Sequence, residues 1–445
     1  MKTIIFIGTN KSGSSYDALV AADRLQYYTV LLTNQVTLTD NKRLEYPHAH
    51  LIEYCDIFNI DSTKECIERL QKRDLDIKAI VSFIEPFCYA AATLAQEFNL
   101  KSFSAEGIFA MYNKIESRKA LRGTRHLPYF FEIKNSDTLE KETQGKFPLV
   151  LKVPTSAGSK DVYKAENFQQ LKEAYCDIRV CYPDKPILAE EYLEGPQYLV
   201  ETVTIEQTTK IIAIIKQEIT FTGRFIVTGY QMILDHENKF FRSLKKAVGF
   251  IIKKHGLKDG PSHLELRYFR NEWKLIEANP RISGGAINSF IETAFGINLV
   301  EETVKLALGL EPNFDAKYKK QAFLQYLIVP APGILKKVTG KSNAQKYPGV
   351  EHVYIKPKKG STIIPPISMA YRYAYVIATG NTAEQARENA GAGASQIKFH
   401  LSAIDETVFD KLSNREKRLL AIAEKNKENI EETISSFDNF VYSVQ

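Results

Sequence analysis

Short apolar runs at residues 4–7, 29–32, 50–53 and 79–84 alternate with amphipathic stretches at residues 17–25, 62–72 and 89–98. Such runs, bounded by turn residues, read as buried strands, and the stretches between them read as helices. Strand–helix alternation of this kind predicts a parallel sheet covered by helices on both faces. A further helix is predicted at residues 113–121. The pattern then changes: a strand at 147–153, a helix at 168–177 and a strand at 187–192 lead into three successive β segments, 199–205, 210–217 and 223–230. A helix at 243–255, a hairpin over 263–279 and one long helix over 288–308 follow. Residues 321–399 read as strand-rich with a single helix at 383–395, and the charged tail from Asp405 reads as helical. The chain is α/β, with no internal repeat and no low-complexity linker.

A chain of 445 residues has room for two to four domains. Its 44% hydrophobic and 25% charged residues are the balance of a folded, water-exposed protein. The net charge of +6 is small for this length, and no basic stripe is interleaved with aromatics, so nucleic acid is not an expected partner. Cys55, Cys66, Cys88, Cys176 and Cys181 form no CxxC pair, which suggests free thiols in a reducing compartment. The apolar run opening MKTIIFIG ends at a strand-to-glycine turn, unlike a secretory signal, and no later run is long enough for a membrane span. A cytoplasmic location and no membrane partner are the expectation. Gly8 to Gly13 has the glycine spacing of a phosphate loop, but Ser14 stands where the lysine of a Walker A site belongs.

The most informative segment is HLELRYFRNEWKLIEANPRISGG, residues 263–285. Strand alternation puts His263, Glu265, Arg267 and Phe269 on one face, and Trp273, Leu275, Glu277 and Asn279 together on the next strand. With Arg270-Asn271-Glu272 as the turn, Glu265 lies across from Glu277 and His263 across from Asn279. Facing carboxylates repel unless a cation lies between them. An isolated pair of this kind ordinarily faces water. Here Asn279-Pro280-Arg281 follows at once, and Ser283-Gly284-Gly285 offers unhindered amides for an anion. Two carboxylates and an amide oxygen suit Mg²⁺ that also holds phosphates.

This segment resembles the signature of the ATP-grasp superfamily, a glutamate on one strand and E-x-N-x-R on the next. The resemblance implies ATP and two Mg²⁺ ions, with Mn²⁺ able to substitute, as cofactors. It makes Glu265, Glu277 and Asn279 the metal ligands, with Glu277 shared by both ions. It makes Arg281 the group that stabilises phosphoryl transfer and an acyl phosphate. Lys152 at the end of FPLVLKVP, followed by Thr155-Ser-Ala-Gly-Ser-Lys160, is similar to the family's strand lysine and phosphate-covering loop, which brings in Ser156 and Gly158. Asp161 stands where that loop often has another glycine. Lys114 matches the first nucleotide lysine, with Arg118 and Lys119 as rivals on the same helix. The segment at residues 187–195 resembles the hinge that receives adenine. There Glu190 would meet the exocyclic amine, and Glu191, Tyr192 and Leu193 would offer backbone groups. For the ribose the open alternatives are Glu194, Gln197 or neither of them, and Lys216 would be a further phosphate contact.

The resemblance covers roughly residues 1–400 and implies an ATP-grasp fold. Its parts are a Rossmann-like domain (1–112), an α+β lid (113–204), an antiparallel-sheet catalytic domain (205–320), a C-terminal subdomain (321–403) and a helical tail (404–445). Arg281-Ile-Ser-Gly-Gly285 lacks the glutamine-valine-glutamate-histidine run of biotin carboxylases and looks like the L-amino acid (dipeptide) ligases. The expected reaction is attack of a carboxylate on the γ-phosphate, then capture of the acyl phosphate by an amine. Arg281, Gly284 and Gly285 would stabilise the oxyanion, and Arg281 and Ser283 would contact substrate. Glu85, at a strand end where open sheets place ligand contacts, is a candidate for a substrate ammonium, with a capping or solvated glutamate equally open. His263 is either substrate-facing or supporting. The expected partners are a small-molecule carboxylate and amine, with amino acids favoured, and a homodimer is compatible with the sequence. The rival enzyme is a purine-biosynthesis-type ligase or carboxylase acting on a phosphoribosyl amine. The non-enzyme rival, an inactive ATP-binding scaffold, predicts erosion at Glu265, Glu277, Asn279 or Arg281, all of which are intact.

Overall fold

The computed structural model describes residues 1–35, 45–133, 139–156, 161–221, 224–426 and 442–444. These form two compact units, each built from three stretches of chain.

One unit comprises residues 1–127, 199–214 and 235–318. Its parallel sheet follows the order Leu51–Tyr54, Tyr28–Thr33, Lys2–Ile7, Asp76–Val81. Ile5, Ile7, Val30, Leu32 and Ile80 pack against Cys66, Ile67 and Leu70 of helix Ile60–Gln71 and against Phe87, Ala91 and Leu94 of helix Glu85–Glu97. Alternation of short apolar strands and amphipathic helices thus gives the expected sheet. Helix Ala105–Tyr112, absent from the periodicity reading, is continued at once by Lys114–Ala120, with the Asn113 side chain capping the second from Ile115 and Glu116 N–H. The same unit holds the antiparallel strands Gly260–Phe269 and Glu272–Asn279 beside Gln197–Ile205. The region read as one helix over 288–308 is two. Ile287–Phe295 stops at Gly296, whose left-handed backbone (φ 71°) closes the helix, and Asn298 caps a new helix, Leu299–Ala307.

The other unit comprises residues 128–198, 215–234 and 319–445. A four-stranded antiparallel sheet runs in the order Phe130–Ile133, Ile187–Glu191, Leu149–Lys152, Val162–Ala165, covered by helix Phe168–Cys181. A longer antiparallel run joins Thr208–Phe221, whose first half counts with the other unit, to Phe225–Met232, Gln321–Leu327, Ala374–Gly380 and Val350–Ile355. Helix Ala383–Ser395 packs on it through Ala386 and Ala390. The tail read as helical carries helices Glu406–Lys411 and Asn414–Lys425, and also a strand, Tyr442–Val444, parallel to Lys398–Ser402. Among the described residues no helix is long and apolar enough to cross a membrane.

One buried histidine predicts an acid-sensitive unit. His255, at the end of helix Lys239–His255, has Nδ1 2.7 Å from the Ile251 carbonyl and Nε2 2.8 Å from Ser117 Oγ. A carbonyl only accepts, so Nδ1 carries the proton and Nε2 accepts from the hydroxyl. Burial, with the nearby Arg118 charge, lowers its pKa from 6.5 to about 4. The unfolded chain therefore takes up a proton below pH 6.5 that the folded chain refuses until about 4. Stability is full above the upper value and falls through this window, by at most about 3 kcal/mol from this group. Thermal melts against pH are expected to show a shallower acid-side decline in His255→Gln.

Candidate active site

The hairpin at 260–279 sets the geometry. Arg270 and Asn271, both left-handed (φ 48° and 63°), form a two-residue turn, so Phe269 pairs with Glu272, and the expected three-residue turn is corrected. That turn by itself would mispair the glutamates. The register shifts between Leu266↔Leu275 and Glu265↔Glu277, leaving Ile276 as an extra bulge residue, and His263 then pairs with Asn279. The expected pairings hold for this reason, but the expected shared face of Trp273, Leu275, Glu277 and Asn279 does not. Trp273 and Leu275 are buried and pair with Tyr268 and Leu266, while Glu277 and Asn279 face the same way as Glu265 and His263.

Charges converge on that second face. Lys114 Nζ, buried on the short helix, lies 2.8 Å from Glu277 Oε1. Burial works against the ammonium, but Glu277, through charge and hydrogen bond, and Glu85 raise its pKa above the ordinary value. Arg281 Nη2 donates to Glu85 Oε2 at 2.9 Å, and its Nη1 donates to the Ile282 carbonyl at 3.0 Å. Burial raises the Glu85 pKa against the lowering effect of Arg281. Glu85 is the first residue of its helix and meets Arg281; it is buried, so the solvated alternative is corrected. His263 Nδ1 is 3.0 Å from the Arg281 carbonyl, and burial, then the Arg281 charge, brings its pKa down to about 3.

Asn279 sits between His263 and Glu85 and tests whether a cation belongs here. With its Nδ2 turned to Glu85 (3.1 and 3.2 Å), its Oδ1 meets His263 Nε2 at 3.0 Å. A neutral imidazole that donates from Nδ1 to the Arg281 carbonyl has only a lone pair at Nε2. The opposite orientation satisfies Nε2 but sets the amide oxygen against the Glu85 carboxyl. One polar contact stays mismatched either way, at a buried position where mismatch is costly. A cation at the amide oxygen relieves it. The facing Glu265 and Glu277 also suit a cation, and the Lys114 ammonium supplies one beside Glu277. Among the described residues no three or more histidine, cysteine, aspartate or glutamate side chains are gathered to hold a metal by themselves. A divalent site on this hairpin therefore needs the asparagine oxygen, or substrate oxygens, beside its two carboxylates.

The turn after Arg281 is held by a residue that motif reading passed over. Ser283 N–H donates to Glu201 Oε1 and Oε2 at 3.2 and 3.4 Å. Burial raises the Glu201 pKa to about 7, against the lowering effect of Ser283 and Arg281. The available signal was a glutamate inside YLVETVTI, a strand otherwise apolar or threonine. Gly284 and Gly285 are exposed, with Gly285 left-handed (φ 66°). Gly13, also left-handed (φ 82°), approaches so closely that a Cβ there would lie 3.5 Å from the Gly285 nitrogen. The 8–13 loop thus abuts the glycine turn.

In the other unit, Lys152 and Glu190 form an ion pair between adjacent strands, both buried. Glu191 accepts from Tyr129 N–H at 2.8 Å, and its own N–H donates to the Tyr129 carbonyl. Tyr192 N–H is given to the Pro148 carbonyl; its ring stacks on Phe225, with Lys164 Nζ 4.2 Å from the ring centre. Leu193 and Gln197 are buried. Lys216 lies in the strand pairing with Phe225–Met232; burial raises the pKa of nearby Glu218, against the lowering effect of Arg387 and then of Lys216. Ser156 Oγ donates to Asp161 Oδ2 at 2.5 Å, which also accepts from Tyr182 OH at 2.9 Å. Gly158 lies outside the described residues. The buried pair gives a prediction: Lys152→Met removes the ammonium paired with the buried Glu190 and lowers stability by about 3–5 kcal/mol in urea unfolding. Lys152→Met with Glu190→Met is expected to regain most of that stability.

Residues 145–289 match the ATP-grasp domain family, and residues 325–402 match the L-amino acid ligase C-terminal domain 2 family. Protein y4rH of Sinorhizobium fredii is 26% identical over 402 residues, 85% of this chain and 78% of the relative. Dapdiamide A synthase of Enterobacter agglomerans is 22% identical over 213 residues, 45% of this chain and 50% of the relative. The L-amino acid ligase of Bacillus licheniformis superposes with a TM-score of 0.76 at 19% identity, covering 90% of this chain and 98% of that one. Hairpin, terminal subdomain and chain-long fold agree: the chain carries an ATP-grasp domain over residues 145–289 and a terminal domain of the L-amino acid ligase type over residues 325–402, on a fold shared with an L-amino acid ligase.

Proposed function

We propose that the chain forms an amide bond between the carboxylate of one amino acid and the amine of another, in the cytoplasm, through an acyl phosphate made with ATP. The observation that carries this reading is the second face of one hairpin. There two facing carboxylates, a buried lysine and an arginine–glutamate pair meet within a single compact unit. The terminal subdomain supports amino acids as substrates over phosphoribosyl amines, because residues 325–402 match the L-amino acid ligase family.

In this reading Glu265, Glu277 and Asn279 hold Mg²⁺, which when bound supplies positive charge against the triphosphate. Lys114, placed beside Glu277, would neutralise phosphate oxygens. Lys152, Lys216 and the loop bearing Ser156 and Gly158 do the same along the triphosphate. Glu190, Glu191, Tyr192 and Leu193 receive adenine, and Gln197 the ribose. Arg281 orients the substrate carboxylate and stabilises the phosphoryl group. Glu85 receives the substrate ammonium, and His263 supports the Arg281 backbone. Ser283 and the Gly284 and Gly285 amides stabilise the oxyanion as the amine attacks. The functional division at residues 112, 204, 320 and 403 is part of the same proposal.

The test is release of ADP and phosphate across a matrix of amino acids, singly and in pairs, with and without Mg²⁺. Metal-dependent release with particular pairs is expected. Release with phosphoribosyl amines and none with any amino acid contradicts the reading.

A further inference from the structure

We propose that Arg118 is a positioning residue for the hairpin: its guanidinium holds the bulge at Ile276 and so fixes the direction of Glu277. The inference rests on Glu277 being a metal ligand in the reading above.

The strand has a parity problem. Leu275 and Glu277 are two residues apart, and regular alternation puts such residues on one face. Yet Leu275 is fully buried beside Leu266, while Glu277 pairs with Glu265 on the opposite face. Only the extra residue Ile276 makes both placements possible. A bulge leaves its own backbone out of the ladder, so the Ile276 carbonyl needs another donor. Arg118 Nη2 supplies it at 2.7 Å.

Arg118 is 0% exposed, the largest fully buried side chain among the described residues. Burying a guanidinium is costly unless it meets specific acceptors. Its position explains the expense. On helix Lys114–Ala120, Lys114 and Arg118 are one turn apart and point the same way. One helix face therefore delivers an ammonium to Glu277 Oε1 at 2.8 Å and a guanidinium to the preceding carbonyl at 2.7 Å. The Ser117–His255 hydrogen bond ties the same helix to its neighbour. Arg118 is the contact from this helix to the backbone that keeps the carboxylate aimed.

The test uses the full chain carrying Arg118→Met and Arg118→Lys. Mn²⁺ binding is followed by electron paramagnetic resonance with a non-hydrolysable ATP analogue present. Hydrogen exchange is followed in peptides covering 272–279. Arg118→Met is expected to weaken Mn²⁺ binding by about tenfold or more, and Arg118→Lys by less, because an ammonium still donates once to the carbonyl. Exchange at 272–279 is expected to rise while that of the first parallel sheet is unchanged. A folded Arg118→Met protein with Mn²⁺ binding within about twofold of wild type overturns the proposal. If that variant does not fold, unchanged binding and exchange in Arg118→Lys overturn it equally. Wild type that binds no Mn²⁺ defeats the metal reading instead, and the exchange comparison still decides whether Arg118 holds the bulge.

Discussion

Replacing Arg281 by lysine is expected to lower kcat for amino-acid-dependent ADP release by about 10³-fold, with a much smaller change in the KM for ATP. The guanidinium donates from Nη2 to Glu85 and from Nη1 to the Ile282 carbonyl, so it is already oriented before substrate arrives. A lysine ammonium keeps the charge but not the planar fork that binds a carboxylate or phosphoryl group in two-point fashion. It also cannot hold Glu85 and the turn carbonyl together. Steady-state kinetics in which kcat falls by less than about tenfold would remove Arg281 from the transition state.

Glu277→Gln is expected to be comparably damaging, with turnover down by about 10³-fold and the Mg²⁺ requirement raised. The amide retains one oxygen but loses the charge that binds a hard cation. It also leaves the buried Lys114 ammonium without its carboxylate, so some stability is lost as well. Combining it with Lys114→Met separates the two effects. The double variant is expected to regain stability in urea unfolding while remaining inactive. Recovery of activity in the double variant would mean that Glu277 serves only to neutralise Lys114.

Much of the architecture was legible because it is written in periodicity. The parallel sheet over residues 2–81 and the helix Ala383–Ser395 follow directly from apolar spacing. The pairing of Glu265 with Glu277 was also legible, though from a wrong turn: a two-residue turn plus a bulge gives the same pairing near the site as a three-residue turn does. Nothing local in WKLIEAN announces that Ile276 is surplus, because the reason lies in Arg118, far away in sequence. The break at Gly296-Ile-Asn298 was visible as a stop followed by a cap, but continuous apolar spacing on both sides concealed it. Glu201 escaped because motif reading looks for glutamates near glycines and prolines, whereas its importance comes from a backbone amide over 80 positions away. The ion pairs Lys114–Glu277 and Lys152–Glu190 were likewise out of reach. Each residue was singled out for a nucleotide or a metal, and only the fold shows that they occupy one another.

The central claim is that the carboxylate is activated as an acyl phosphate, and oxygen tracing tests it most directly. An amino acid labelled with ¹⁸O in its carboxylate is turned over with ATP, Mg²⁺ and an amine partner, and the released phosphate is examined by mass. One labelled oxygen per phosphate, with ADP as the nucleotide product, is the expected result. Unlabelled phosphate, or label appearing in AMP, would contradict the account.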